Sequence, residues 1–168
     1  SDNPNDKSSF ISEFTVIRRS GNKLVAIPYS ECYKDKLQKA ATLLKEASEY
    51  CDNESLKKYL LSRADAFLSN DYYQSDMDWM DLKNNKIELV IGPYEVYEDE
   101  LFNYKASFES FLTIKDPVES KKLEKLGQYL TDMEKNLPYD EKYKNFERGS
   151  ESPIVVVNEI FTAGDANR

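Results

Sequence analysis

Two side chains in residues 91–102 have the types and the spacing to hold a peptide. Glu95 and Tyr97 lie two residues apart in a segment predicted as a β-strand, 87–97, so we expect both on one face, because strand side chains alternate. A carboxylate accepts hydrogen bonds from an amine or a backbone N–H, and a phenol donates to a carbonyl. Pro93 cannot donate to a sheet, which favours an edge strand or a bulge, where an extended peptide could bind.

The same stretch allows two other interpretations. Tyr and Glu on a strand face commonly meet solvent or a side chain across the sheet. Glycoside cleavage uses a pair of carboxylates, and four acidic residues cluster here: Glu95, Glu98, Asp99 and Glu100. Neighbouring carboxylates around a turn rarely converge on one bond, so peptide binding is the preferred hypothesis.

A second acidic set precedes this stretch, in a segment predicted as a short helix capped by Ser75. Four aspartates accompany it: Asp71, Asp76, Asp78 and Asp81. Its apolar side chains are expected to be buried: Met77, Trp79, Met80 and Leu82. Spaced aspartates can hold Ca²⁺ or Mg²⁺, so an acidic metal-binding domain using Asp76, Asp78 and Asp81 is one hypothesis. The other reading is that the helix dipole favours acidic residues at a helix start; no glycine-bearing calcium loop follows.

The sequence contains no histidine. This excludes Ser-His-Asp and Cys-His nucleophile systems and every histidine-containing zinc site. A helix between Cys32 and Cys51 would separate them by roughly 28 Å at ~1.5 Å per residue. That distance is beyond the about 7 Å that a disulfide allows, so both are predicted to be free thiols. We assign no catalytic and no metal-ligating residue to the chain.

The net charge and the hydropathy of the chain limit the classes of partner that it can bind. The chain has 31 acidic and 23 basic residues, a formal charge of -8, which repels phosphate backbones and makes nucleic acid an unfavourable partner. No apolar run approaches the ~20 residues that cross a bilayer, and no signal peptide is visible. A cytoplasmic location is favoured, while secretion and lipid anchoring stay open, as does the oligomeric state.

The elements that would position these residues form an α+β fold: a helical hairpin plus a small antiparallel sheet with a long capping helix. Residues 1–9 are predicted as a disordered leader and 10–168 as a single domain. Its first part, 10–82, is expected to be mostly helical, and 83–168 to run strand–helix–strand. The length of 168 residues suits one domain.

The helical part begins with a predicted β-hairpin, 10–19 and 23–27, around Ser20-Gly21-Asn22. Apolar periodicity then predicts a helix over 31–50 capped by Ser30, and a second one that begins after Asp52-Asn53 and ends near Asn70. A short polar turn joins the two helices, so they should pack antiparallel.

The sheet part pairs the strand 87–97 with a strand at 104–115. Asp116-Pro117 with Glu119 is a clear helix start, and the leucine repeat extends that helix to Leu137. Residues 153–157 are fully apolar and are predicted as a third strand at the centre of the sheet, followed by a turn at 161–168.

Three segments resemble the dipeptidyl peptidase III family of zinc exopeptidases: residues 64–82, 91–111 and 158–167. The resemblance runs in order from about Leu24 to Asn167 and is nearer to the bacterial and plant branch. Plant members are fused to a Nudix domain, so such proteins sometimes carry a Nudix hydrolase name. This sequence lacks a Nudix box, and that name would be inherited rather than supported by its residues.

The resemblance implies roles for particular residues. Glu95 and Tyr97 match the glutamate and tyrosine that hold the N-terminal part of a peptide in a cleft between two lobes. Tyr94 and Asn167 are further candidates, the latter near the start of an asparagine-rich substrate loop. The family's zinc comes from a His-Glu helix motif and a further glutamate, which this chain does not contain. Whether the chain itself is an enzyme stays open.

Two hypotheses follow for the chain as a whole. In the first it is the substrate-cleft portion of a zinc exopeptidase that releases dipeptides from peptide N-termini, inactive as a fragment and truncated relative to the family. Its partners are then the remainder of the parent chain and the peptide, and an exposed apolar face would let two copies dimerise. In the second it is a stand-alone non-enzymatic peptide-binding or interaction module with a closed core.

Overall fold

The helices and strands of the computed structural model follow the α+β order predicted from the sequence. The structure describes residues 4–97, 99, 102–146 and 154–164. The elements in chain order are α1 (Pro4–Ile11), β1 (Thr15–Ser20), β2 (Lys23–Pro28), α2 (Tyr29–Cys32), α3 (Lys34–Glu49), α4 (Glu54–Ser69), α5 (Tyr73–Met80), β3 (Ile87–Glu95), β4 (Ser107–Lys115), α6 (Pro117–Gly127), α7 (Leu130–Lys135) and β5 (Val157–Ala163). A short 3-10 helix lies at Glu141–Tyr143.

The main core lies between α3 and α4, the predicted helical hairpin. One cluster buries side chains of both helices: Leu37, Ala41, Leu44, Leu56, Tyr59, Leu60, Ala64 and Phe67. Each such leucine or phenylalanine contributes about 1.5–3 kcal/mol by burial. Asn53 caps α4 by accepting the N–H of Leu56 at 2.9 Å, and Asn70 ends the helix with a left-handed φ of 65°. Both predicted ends are confirmed.

A three-stranded antiparallel sheet packs against this hairpin, with β4 between β3 and β5. Leu89, Ile91 and Phe108 of β3 and β4 pack against the helical core. The pairing of β3 with β4 runs from Ile87 opposite Ile114 to Pro93 opposite Phe108 and then shifts at a bulge before Glu95. The predicted pairing is confirmed, and so is the expectation that Pro93 lies on an edge strand and at a bulge.

The amino-terminal residues are more ordered than their composition suggests. The β1–β2 hairpin turns at Gly21, whose φ is 61°, as predicted. Residues 4–9, part of the expected disordered leader, belong to α1. Thr15 donates its hydroxyl to the carbonyl of Ser9 at 2.7 Å, which fastens α1 to the start of β1. Polar composition cannot reveal such a tertiary hydrogen bond.

The predicted helix over 31–50 is two helices, and Ser30 is not its cap. Pro28, with φ of -55° and ψ of 147°, occupies the N-cap position of α2 that was predicted for Ser30. The helix begins at the next residue, Tyr29. Tyr33 then has a ψ of 22° and separates α2 from α3. Ser30 lies in the first turn, where its N–H donates to the Asn70 side chain at 3.2 Å.

The helix α5 buries polar side chains and exposes the apolar ones that were expected to be inside. It follows Tyr72 rather than a Ser75 cap, and Ser75 donates from a buried position to the carbonyl of Tyr72 at 2.8 Å. Its buried residues are Ser75 and Asp78, whereas Trp79 is 37% exposed and Met80 is 65% exposed. Hydrogen bonds and ion pairs with α4 fix the inward face, so the apolar side chains lie outward.

The predicted long helix from Pro117 is interrupted. Its start is confirmed, because Asp116 accepts the N–H groups of Val118 and Glu119 at 2.9 and 3.0 Å. The helix α6 ends at Gly127, a poor helix former, and α7 begins only at Leu130. Since α6 has no buried residue, it does not cap the sheet as a packed layer.

The third strand lies later in the chain than predicted and at an edge of the sheet rather than at its centre. Within the part of 153–157 that the structure describes, 154–156 are irregular, and β5 begins at Val157. Among the strands that the structure describes it pairs only with β4, so it is an edge strand and not the central one. The centre belongs to β4, which pairs on both sides. Two apolar side chains of the predicted segment are exposed rather than buried, Ile154 at 76% and Val157 at 38%.

Candidate functional site

Glu95 and Tyr97 lie where β3 leaves the sheet. Glu95 is the last residue of the strand, opposite Ser107, and is 6% exposed. Tyr97 lies two residues beyond the strand and is 69% exposed. The predicted strand is therefore two residues too long, and alternation does not place the two side chains on one face. They meet differently: the N–H of Tyr97 donates to Oε1 of Glu95 at 3.4 Å.

The carboxylate of Glu95 is buried without a cation. Within residues 4–97, 99, 102–146 and 154–164, no lysine or arginine forms an ion pair with it. Burying a charge is costly unless it is paired or hydrogen-bonded. The group is thus suited to an incoming ammonium or to several N–H donors.

Tyr94 is turned away from this role toward the helices. Its hydroxyl donates to Oδ1 of Asp76 at 2.6 Å, and the same oxygen accepts from Arg63 at 2.5 Å. Burial, with the Asp76 hydrogen bond adding to it, raises the pKa of Tyr94, so the phenol stays protonated and keeps donating. Tyr94 was a further substrate-binding candidate, and its hydroxyl already has a partner inside the fold.

Arg63 is the residue that sequence reasoning missed. Its side chain is fully buried, and its guanidinium lies over the rings of Tyr59, Tyr72 and Tyr94, with centroids at 5.5, 5.4 and 5.2 Å. Burial acts to lower the pKa of Arg63, but the surrounding phenols and Asp76 outweigh this, and the net shift is upward. A signal existed in the sequence: Arg63 lies four residues from both Tyr59 and Phe67, in the middle of an apolar helix face.

The aspartates of α5 serve basic partners within the fold. Asp76 pairs with Arg63, and Asp78 pairs with Lys58 at 2.8 Å and accepts from Gln74 at 2.9 Å. Burial acts to raise the pKa of Asp78, but hydrogen bonds from Lys58, Ser62 and Gln74 outweigh it and lower the pKa. Among the described residues no group of three or more His, Cys, Asp or Glu side chains could hold a metal ion.

Asp99 organises the connection that follows the site. Its carboxylate accepts the backbone N–H groups of Asn103, Tyr104 and Lys105 at 2.9, 2.5 and 2.9 Å. These bonds hold a turn in which Phe102 and Asn103 both have positive φ. Asp99 is engaged by backbone amides, which disfavours the glycosidase interpretation; its other members, Glu98 and Glu100, lie outside the described residues.

Lys105 anchors that turn to the amino-terminal part of the chain. Its ammonium donates to the carbonyls of Phe10 and Ser12 at 2.8 and 2.6 Å and to the Thr15 hydroxyl at 2.8 Å. Burial lowers the pKa of Lys105, partly offset by Asp99. The segment after Glu95 is thus held at both ends, by β3 and by this lysine.

A groove of about 370 Å³ opens between α3, Phe67 of α4 and the sheet. Gly164, just after β5, lies at its rim with φ of 99°. A Cβ there would come within 2.6 Å of the Phe108 carbonyl oxygen, so only glycine fits this approach. Glu95 and Tyr97 do not line the groove. Asn167, the remaining candidate, lies outside the described residues.

The family model for peptidase family M49 matches residues 6–152. The chain belongs to peptidase family M49. The resemblance seen in the sequence is thereby confirmed.

Solved structures and a curated protein are similar to this M49 chain. DPP III from Caldithrix abyssi has a TM-score of 0.90 and 67% identity, covering 96% of this chain and 31% of that one. Dipeptidyl-peptidase III from Corallococcus sp. strain EGB has a TM-score of 0.80 and 42% identity, covering 100% and 31%. "Nudix hydrolase 3" from Arabidopsis thaliana is 47% identical over 146 residues, 87% of this chain and 19% of that protein, and carries the expected Nudix name. The M49 chain therefore spans under a third of each of these three proteins.

The zinc implied for family M49 does not fit the residues of this chain. The sequence has no histidine, and the described residues offer no cluster of three ligands. Cys32 and Cys51 are free, as predicted. Of the chain's described helices, none is long and apolar enough to cross a membrane.

Proposed function

We propose that this chain forms one wall of the substrate cleft of an M49 dipeptidyl peptidase that releases dipeptides from peptide N-termini. Glu95 accepts hydrogen bonds from the N-terminal ammonium of the peptide, and the exposed Tyr97 hydroxyl donates to a peptide carbonyl. The water-activating zinc belongs to another part of the longer protein. The chain by itself binds peptide and does not cleave it.

The buried carboxylate of Glu95 is the observation that carries this proposal. It lies at the end of an edge strand, and no cation pairs with it among the residues described. A peptide ammonium supplies a positive charge and three donors in one group, which is what such a carboxylate lacks. The membership of family M49 supports the assignment of the ligand as a peptide.

The exposed apolar side chains of the later half support the idea that the chain is a segment of a longer protein. They lie on α6, α7 and β5 and include Val118, Leu126, Met133, Ile160 and Phe161, each at least half exposed. Where exposed apolar side chains adjoin, they are typical of a face that packs against another protein or another part of the same chain. The remaining part of the parent chain is its proposed occupant.

Calorimetric titration of the 168-residue chain with tetra-alanine tests the role of Glu95. We expect the peptide with a free amine to bind about tenfold more tightly than its N-acetylated form, since the charge-assisted bond adds roughly 1.5 kcal/mol. Glu95→Gln should abolish this preference. Glu159→Gln, on the exposed face of β5, is the matched control and should keep it. Equal affinity for both peptides, or an unchanged preference in Glu95→Gln, would overturn the proposal.

A self-sufficient peptide-binding module is the second candidate, favoured by the complete core between α3 and α4. It predicts a monomer that binds no hydrophobic dye. The segment hypothesis predicts dye binding and self-association through α6, α7 and β5. Sedimentation velocity separates them, with Ile160→Lys expected to restore the monomer and Leu43→Lys, an equally exposed change on α3, expected to have no effect.

A further inference from the structure

A charged cluster behind β3 is fixed in one geometry. Arg63 is enclosed by three tyrosine rings, and Asp76 is the carboxylate that pairs with it. Asp76 is 43% exposed, so its position is not set by close packing alone. The Tyr94 hydroxyl and the Arg63 guanidinium both donate to its Oδ1 and hold that oxygen between α4, α5 and β3.

The sequence Gly92-Pro93-Tyr94-Glu95 fits this cluster residue by residue. A Cβ on Gly92 would lie 2.9 Å from the Tyr94 ring and 3.0 Å from Arg63, so the glycine lets both side chains lie against the strand without being displaced. Pro93 has no N–H for the ladder, and the register shifts immediately after it. Tyr94 is the extra residue of the bulge, and Glu95 resumes pairing opposite Ser107.

The orientation of the Tyr94 side chain therefore determines the position of Glu95 at the end of β3. A bulge re-aims the residues that follow it, and here its extra residue is tied to two helices by a side-chain hydrogen bond and a ring contact. If that tie is lost, the strand can pair in another register or fray. Glu95 would then leave its buried position and lose its proximity to the N–H of Tyr97.

We propose that Arg63, Asp76 and Tyr94 are positioning residues for Glu95. They act through the bulge and touch no peptide. The value of this position for peptide binding rests on the proposed function, whereas the positioning itself does not.

Amide hydrogen exchange in the 168-residue chain tests the positioning directly. The N–H of Tyr97 donates to the Glu95 carboxylate, so its exchange rate reports where that carboxylate lies. Tyr94→Phe should speed exchange at Tyr97 about tenfold, because a hydrogen bond to a charged acceptor is lost. Tyr73→Phe removes an exposed hydroxyl from α5 and should leave the rate unchanged.

Two further comparisons separate positioning from general stability. The amide of Leu60, in the core of α4, reports global unfolding and should accelerate less than the amide of Tyr97 in Tyr94→Phe. Asp76→Asn keeps an oxygen for the Tyr94 hydroxyl, so its Tyr97 amide should exchange more slowly than that of Asp76→Ala. The proposal is overturned by an unchanged Tyr97 rate in Tyr94→Phe, by equal acceleration at Leu60, or by the reverse order of the Asp76 variants.

Peptide titration provides the functional arm. Tyr94→Phe should bind free-amine tetra-alanine about tenfold more weakly, and Tyr73→Phe as tightly as the wild type. Unaltered binding by Tyr94→Phe would overturn the link to the peptide site. If the wild-type chain binds no peptide, the proposed function fails, and the exchange rates still decide whether the three residues position Glu95.

Discussion

The hydroxyl of Tyr94 donates to Oδ1 of Asp76 at 2.6 Å and ties the bulge of β3 to α5. The same oxygen pairs with Arg63 of α4, so one carboxylate joins three elements. This oxygen lies between the helical core and the strand end that carries Glu95. Changes to the cluster should therefore be measurable both as stability and at the site.

Gly92→Ala should destabilise the chain by about 1–3 kcal/mol, because the added methyl meets the Tyr94 ring and the Arg63 guanidinium in a packed region. Urea unfolding followed by circular dichroism measures the change. Gly127→Ala, at the end of α6, is the control of opposite sign and should be neutral or stabilising by up to about 1 kcal/mol. A Gly92→Ala protein as stable as the wild type would show that the Tyr94 and Arg63 side chains can shift at little cost in free energy.

Asp76→Ala should lower the free energy of unfolding by about 2–3 kcal/mol, since it leaves the Arg63 charge buried and unpaired. The loss should fall short of that for a fully buried pair, because Asp76 is 43% exposed. Asp65→Ala removes an exposed ion pair with Lys45 and should cost at most about 1 kcal/mol. Equal effects of the two substitutions in denaturant titrations would contradict the importance of the buried charge.

Stability should fall in acid through Asp78. Its folded pKa is lowered, so ionised Asp78 contributes stability that is complete above the unfolded pKa of about 3.9 and is lost as the pH drops through the folded pKa. Unfolding free energies between pH 7 and pH 2.5 should decline at the acid end. Asp78→Asn should be less stable at pH 7 and show a shallower decline, and an identical acid limb in both proteins would contradict the assignment.

The purified chain should contain no stoichiometric zinc and release no dipeptide from a dipeptidyl reporter. The reason is the lack of histidine in the sequence together with the absence of a three-ligand group among the described residues. Elemental analysis and a fluorogenic assay measure the two outcomes. One tightly held zinc per chain, or turnover that survives purification, would disprove this prediction.

Features encoded within a few residues could be predicted from the sequence. Asn53 and the Asp116-Pro117 start are confirmed because a cap is a contact between a side chain and a backbone N–H two or three residues away. Pro93 correctly indicated a bulge, since the missing N–H is a property of that residue alone.

Features that depend on distant partners could not be predicted in this way. Trp79 is partly exposed because the opposite face of α5 carries the partners of Lys58 and Arg63 on α4. The end of β3 depends on where Tyr94 finds Asp76, 18 residues earlier in the chain. The substrate-binding roles of Glu95 and Tyr97 thus stay predictions from the sequence, and the contacts of Arg63 and Asp99 appear only when the elements are assembled.

The three hydrogen bonds that Lys105 donates make the first residues of the chain part of the structure around the site. Its ammonium donates to the carbonyl oxygen of Phe10, in α1, and to that of Ser12, just after α1. An expression boundary placed after residue 12 would delete both acceptors and leave a partly buried ammonium with a single hydroxyl from Thr15. Removal of residues 1–12, three more than the predicted leader, would therefore loosen the turn that follows Tyr97.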